Sequence, residues 1–187
     1  MSAAAVILAA GASRRLGRPK QTVLFAGETL LERAVRLAHE ACLSPVIVVL
    51  RPDAEFAQKL RSCRCLVVFN EQAEEGMGAS IRCGVAVAIP LDVSGAVLMT
   101  CDQVAVTSEH LRALHAEPAA TAGSGYAGKV GIPAYFPAAS FMELMKLMGD
   151  TGARDLLRGA RAVPTEALAF DVDTEEDVER ARRLFEG

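Results

Sequence analysis

Four cations fall within seven positions near the start of this 187-residue chain: Arg14, Arg15, Arg18 and Lys20. They follow an apolar run, Val6-Ile7-Leu8-Ala9-Ala10, that stops at Gly11 and passes into small residues including Ser13. An apolar run ending in glycine reads as a buried parallel strand entering a tight turn. Open α/β sheets bind ligands at such strand ends. Small residues let backbone N–H groups close on an anion and the cations hold it, so a triphosphate is the guest this chemistry suits. For one glycine alone, a βα turn with a solvated basic loop is the plainer explanation. Four cations beside a buried strand end favour the anion site. Two familiar phosphate loops are excluded by spacing. A P-loop needs Gly, four residues, then Gly-Lys-Ser/Thr, whereas five residues separate Gly11 from Gly17, and Gln21 follows Lys20. In the dinucleotide fingerprint, Ser13 and Leu16 would stand where the second and third glycines belong.

Carboxylates form the second group. Asp102 follows Ala96-Val97-Leu98-Met99-Thr100-Cys101, so it emerges at a strand's C-terminal end, on the rim that carries Gly11. Beside a triphosphate, a carboxylate there suits Mg²⁺, which takes one or two carboxylates plus phosphate oxygens. A turn or helix-cap aspartate is the competing explanation, and the shared rim favours the metal. In Phe170-Asp171-Val172-Asp173-Thr174, strand alternation would put Asp171 and Asp173 on one face. They would complete a metal site or cap the next helix. Asn70 and Gly76-Met77-Gly78-Ala79-Ser80 form a third group. Its glycines admit a flat ring close to the backbone, and Ser80 at a helix start offers a hydroxyl and free N–H groups. An ordinary N-cap fits those residues equally well. Met142, Met145 and Met148, spaced i, i+3, i+6, read as core filler.

The elements that must position these groups follow from periodicity. Thr29-Leu30-Leu31-Glu32 has capping-box form, and Leu30, Ala34, Leu37, Ala38 and Ala41 recur at helical spacing. Strands are expected at 45–50, 66–69, 96–100, 132–136 and 168–172. Helices are expected at 54–61, 81–88, about 108–115 and 141–148, and again after a Thr174 cap, whose first turn holds Glu175, Glu176 and Asp177. The segment 118–131 is the softest, with a hairpin turn at 126–131. Strands alternating with helices through the first hundred residues argue a parallel, right-handed sheet, to which the hairpin adds antiparallel strands.

Composition narrows the classes. Length fits a single domain spanning 1–187, and 51% hydrophobic with 23% charged residues fits a globular chain. A net charge of −3 argues against general nucleic-acid binding, so the basic loop is local and suits a small anionic substrate. The five cysteines, Cys42, Cys63, Cys65, Cys83 and Cys101, are odd in number and irregularly spaced, which fits a reducing, cytoplasmic compartment. Cys63-Arg64-Cys65 lacks zinc-site spacing. His39, His110 and His115 fall in helical stretches and read as surface or satisfied positions. No positive region precedes the apolar N-terminal run, so it does not read as a signal peptide. No run reaches membrane-span length, and no membrane partner is expected.

Leu8-Ala9-Ala10-Gly11-x-Ser13-x-Arg15-Leu16-Gly17-x-Pro19-Lys20 resembles the signature loop of nucleotidyltransferases that attach a nucleotide to a phosphorylated pterin. It is most similar to the molybdenum cofactor cytidylyltransferases. The guanylyltransferase branch usually reads Leu-Ala-Gly-Gly, so Ala10 points to CTP. The resemblance runs collinearly from about residue 5 to 183 and includes Thr100-Cys101-Asp102-Gln103, Gly149-Asp150-x-Gly152-Ala153-Arg154 and Asp171-Val172-Asp173-Thr174. Departures are Leu16 for Met, Val104 for Pro, Glu175 for Pro, and Ile132 for the His of a Gly-His-Pro.

The resemblance implies a Rossmann-like three-layer α/β/α sandwich with a mostly parallel mixed sheet and a late antiparallel hairpin. It implies CMP transfer from CTP to a phosphorylated acceptor, molybdopterin, with release of pyrophosphate. Arg15, Lys20 and Asp102 would be catalytic. Leu8, Ala9, Ala10, Gly11, Ser13, Asn70, Gly76 and Ser80 would bind the nucleotide. Asp150 and Arg154 would meet the acceptor, unless Arg154 instead pairs with Asp150. Asp102 and Asp171 would hold Mg²⁺. A molybdoenzyme or its maturation factor is the implied protein partner. The alternatives are GTP as donor, a sugar or polyol phosphate as acceptor, or a nucleotide-binding protein without turnover.

Overall fold

The computed structural model describes residues 2–185. β1 (Ala4–Leu8) is buried along its whole length, as an apolar run flanked by strands on both sides must be. A small hairpin follows, β2 (Leu24–Phe25) and β3 (Glu28–Thr29), turning on Ala26 and Gly27, both left-handed. Thr29 then opens α1 (Leu30–Glu40) with a full capping box: Glu32 N donates to Thr29 Oγ1 at 3.2 Å, and Thr29 N to Glu32 Oε2 at 2.9 Å. β4 (Val46–Leu50), the edge strand β5 (Leu66–Phe69), α2 (Met77–Ala88) and β6 (Gly95–Met99) complete the parallel part. α3 (Ser108–Leu114) leads to the hairpin β7 (Ala122–Tyr126) and β8 (Lys129–Pro137), whose turn residues Ala127 and Gly128 are both left-handed. α4 (Phe141–Leu144), β9 (Arg161–Pro164) and α5 (Glu175–Phe185) follow.

Seven strands among the described residues form one sheet in the order β5-β4-β1-β6-β8-β7-β9. β8 runs antiparallel to both β6 and β7, while β1 pairs parallel with β4 and β6. Alternation along β1 divides the core. Ala5 and Ile7 pack with α1, α3 and α5, and Val6 and Leu8 with α2 and α4. This is the three-layer mixed sheet expected. Gly84 allows α2 its close approach, since a Cβ there would come 2.3 Å from Val6 Cγ1. No helix among the described residues is long and apolar enough to cross a membrane.

Three expected elements differ. The strand at 168–172 does not form. The open edge of β7 is taken instead by β9, in register Ala122↔Arg161 and Ser124↔Val163. Glu166–Ala169 is a 3-10 turn that buries Leu168, and Val172 N donates to Asp102 O at 3.0 Å. The helix expected at 141–148 stops at Leu144, and Met142 within it and Met148 beyond it are both exposed, which corrects their assignment as core filler, while Met145 packs against the core. The stretch at 54–61 is 3-10 rather than α, over Glu55–Ser62. The three histidines are satisfied as expected, His39 and His115 by carbonyls and His110 by Ser124 Oγ at 2.8 Å.

Candidate active site

The C-terminal ends of β1, β4 and β6 make the rim. The end of β1 is held from below: the carboxamide of Gln21, 4% exposed, donates to Ala9 O and Gly11 O. Ser13 adopts the left-handed conformation, accepts Lys20 N on its hydroxyl at 3.0 Å, and offers its carbonyl to Leu16 N and Gly17 N. The cationic loop is therefore folded back on itself before any ligand arrives. Gly11 is not required by packing, because a Cβ added there would meet nothing within 4 Å. That position faces open space.

The loop delivers Lys20 to the carboxylates. Its Nζ lies 2.7 Å from Asp102 Oδ2 and 2.9 Å from Asp173 Oδ1. Arg15 reaches the other oxygen of Asp173 at 2.6 Å, and Arg18 pairs with Glu175 at 2.7 Å. Thus 158 positions of sequence separation between Arg15 and Asp173 close at the rim. Burial works against the charge of Lys20, but Asp102 and Asp173 overcome it and hold its pKa above the ordinary lysine value. Asp171 is pushed the other way. Burial, then repulsion from Asp102 and Asp173, raises its carboxyl to about 6. Burial raises the Cys101 thiol to about 12, so it stays protonated beside this cluster.

Two cavities meet here. The first, about 470 Å³, is lined by Leu8, Ala9, Ala10, Gly11, Ser13, Lys20, Gly76, Ser80, Asp102 and Asp150, together with Arg14, Arg51 and Glu74. The second, about 280 Å³, is lined by Gln103, Tyr126, Lys129, Ile132, Arg154 and Asp171. They share Met77, Thr100, Asp102 and Asp150. Gly76 and the Gly149 loop build that shared wall. Gly76 has φ +119°, and a Cβ on it would come 2.4 Å from Asp150 Oδ1 and 2.6 Å from Gly149 C. Arg82 fastens the same loop, donating to Leu147 O and pairing with Glu75 at 2.7 Å.

The rim thus brings together most of the residues singled out from sequence. Arg15 is outside the lining of both cavities, tied to Asp173, and Arg14 lines the first in its place. Asn70 is buried behind the wall, donating to Ser80 Oγ at 3.0 Å and accepting Gln72 N at 2.9 Å, so it positions Ser80 rather than facing the cavity. Asp171 and Asp173 reach the rim from extended chain rather than from a strand, through the Val172–Asp102 backbone bond. Asp173 N donates to Asp177 Oδ2 at 3.1 Å, and Thr174 and Asp177 cap α5 reciprocally. Arg51, Glu74, Tyr126 and Lys129 were not distinguished by sequence. Only Arg51, directly after an apolar strand, carried a positional signal.

Asp102, Asp171 and Asp173 outnumber the one lysine among them, and the surplus negative charge is part of what lifts Asp171. No three such side chains among the described residues are gathered into a ready-made metal site, so a hard divalent cation fits here only as one that takes one or two carboxylates and completes its shell with phosphate oxygens.

A parallel-sheet rim with a cationic loop, facing carboxylates and two joined cavities is the architecture of an α/β enzyme acting on an anionic nucleotide. Residues 5–166 match the family model described as MobA-like NTP transferase domain, and the chain belongs to that family of nucleotidyltransferases. The purine catabolism protein PucB of Bacillus subtilis (strain 168) is 32% identical over 196 residues, covering 96% of both chains. The probable molybdenum cofactor guanylyltransferase of Opitutus terrae is 37% identical over 86 residues, 46% of this chain and 39% of that protein. The crystal structure of Rv0371c from Mycobacterium tuberculosis H37Rv is 33% identical with a TM-score of 0.80, over 97% of this chain and 98% of that one. A manganese complex of Rv0371c is also known.

Proposed function

We propose that this chain, acting as one unit over residues 1–187, transfers CMP from CTP to the phosphate of molybdopterin and releases pyrophosphate. The observation that carries the proposal is the 2.7 Å contact of Lys20 with Asp102 in the wall region where the two cavities meet. The nucleotide occupies the first cavity and the acceptor the second. An acceptor phosphate oxygen attacks the α-phosphorus, and the bond to the β-phosphate breaks. The nucleophile is already ionised, so no side-chain base is needed. The protein positions two anions and stabilises the charge that develops between them. Lys20 serves the α-phosphate. The backbone of Gly11 to Ser13 serves the outer phosphates, with Arg15 exchanging Asp173 for the departing pyrophosphate. Ser80, held by Asn70, meets the nucleoside beside Gly76. Arg154 and Asp150 orient the acceptor. Asp102 and Asp171 would hold Mg²⁺, which when bound neutralises phosphate charge.

Ala10 supports CTP. The guanylyltransferase name of the Opitutus terrae relative favours GTP as the second reading, with the same chemistry. A molybdoenzyme or its maturation factor would receive the product. Pyrophosphate release, measured with each of the four NTPs and Mg²⁺, with and without molybdopterin, tests the proposal. It expects release with CTP and molybdopterin together. Silence under every combination, with nucleotide still bound, would leave a binding protein instead.

A further inference from the structure

The far end of the first cavity carries a charged pair that the transfer chemistry leaves unused. Arg51, the residue after β4, lies 2.7 Å from Glu74 and 3.4 Å from Asp53, and Arg14 approaches Glu74 at 3.4 Å. In the sheet order β4-β1-β6, Arg51 stands two strands from Asp102, roughly 10 Å at ordinary strand spacing. Lys20 and its carboxylates fix the reacting phosphate at the β6 side. A nucleotide running along the rim therefore brings its base to Arg51. The local charge agrees: one guanidinium between two carboxylates, with Arg14 at the edge, makes no net-positive site for a triphosphate. Ala9, Ala10 and Ala73 line the same end with small apolar faces suited to a flat ring.

We infer that Arg51 and Glu74 read the hydrogen-bonding edge of the base and select cytosine. This deepens the CTP reading and rests on it. Arg51 takes one Glu74 oxygen at 2.7 Å and Arg14 approaches the other at 3.4 Å, so Glu74 keeps spare acceptor capacity and the Arg51 guanidinium keeps N–H groups beyond those it gives Glu74 and Asp53. Cytosine offers the complement: an amino donor at N4 and acceptors at N3 and O2. Uracil places a carbonyl where Glu74 needs a donor, and an N–H where Arg51 needs an acceptor. Arg51 and Glu74 are open to solvent in the free chain and are covered only by the bound base, and groups then left facing the wrong partner are what make such a site selective. Glu74 is already paired with Arg51 at 2.7 Å and approached by Arg14 at 3.4 Å before the base arrives.

The test is kcat/KM for CTP, UTP, GTP and ATP in the wild type and in Arg51→Ala, Arg51→Lys, Glu74→Ala and Glu74→Gln, with melting curves to establish folding. The CTP-to-UTP ratio should fall roughly tenfold to a hundredfold in Arg51→Ala, through KM more than kcat. Arg51→Lys should fare no better, because one ammonium cannot donate to N3 and O2 as a planar fork does. Glu74→Ala should also lose discrimination, while Glu74→Gln, which keeps one acceptor oxygen, should stay within a few-fold of wild type for CTP. An equal loss for all four nucleotides, or rescue by lysine, would make Arg51 a phosphate contact and overturn the inference. A CTP-to-UTP ratio unchanged in Arg51→Ala would overturn it while leaving CTP as the donor. Wild-type preference for GTP would overturn the CTP reading itself, and this inference with it.

Discussion

The two cavities share a wall but are built by different means. The first lies over the ends of three parallel strands and is charged before any ligand binds, with Lys20, Asp102 and Asp173 joined within 2.9 Å. The second lies between the antiparallel hairpin β7–β8 and the Gly149 to Arg154 loop. Its polar groups are dispersed: Lys129 lies over the Tyr126 ring at 5.4 Å, and the Tyr126 hydroxyl donates to Ile132 O at 3.2 Å. Parallel strands place their C-terminal residues on one rim, so chemistry accumulates there with little help from loops. The hairpin side has no such rule and depends on which residues its loops present. On the proposed reading the donor end is fixed by fold, and the acceptor end by local sequence, such as Lys129 and Ile132 of the hairpin.

If the division holds, substitutions should separate by cavity. The largest effect belongs to the donor end. Lys20→Ala and Asp102→Asn should each lower turnover at least about a hundredfold, with melting shifted by only about 5 °C. Turnover at the wild-type level in either would remove that residue from the chemistry. Gly76→Ala should breach the shared wall and damage both sides. Its added Cβ meets Asp150 and Gly149 at a φ of +119°. The expected cost is about 1–3 kcal/mol, with KM raised for nucleotide and acceptor alike. An effect on one substrate alone would mean the cavities are not coupled through this wall. Arg154→Ala should raise KM for the acceptor roughly tenfold while sparing KM for CTP. The reverse pattern would exchange the two cavities.

The smallest effect is one of pH. The folded pKa of Asp171, about 6, lies above its ordinary 3.8. Between those values the folded chain holds a proton that the unfolded chain has released. Stability therefore falls as pH rises across that window, and the loss persists above it. Asp171→Asn should flatten the fall in Tm between about pH 4 and 6 and raise Tm at pH 7. An unchanged profile would mean that Asp171 is not crowded by Asp102 and Asp173.

What was legible in the sequence was local. The β1 loop, the Thr29-to-Glu32 cap and Asp102 at the end of an apolar run each declare themselves within a few residues. Asp171 and Asp173 were visible as candidates, but not the means that brings them to the rim, because the Val172–Asp102 backbone bond joins segments 70 positions apart. β9 was missed for the same reason. Arg161–Pro164 has little strand character of its own and becomes a strand because β7 offers it an edge. Arg51 and Glu74 become a pair only because β4 and the turn before α2 set them side by side.

The central claim is that Lys20 and Asp102 grip one nucleotide and its metal ion in the first cavity. Thermal shift with CTP, GTP, UTP and ATP, each with Mg²⁺, in the wild type and in Lys20→Ala tests it most directly, because a bound ligand stabilises by mass action. The largest shift should come with CTP, depend on Mg²⁺, and vanish in Lys20→Ala. No shift with any nucleotide, or an equal shift in wild type and variant, would contradict it.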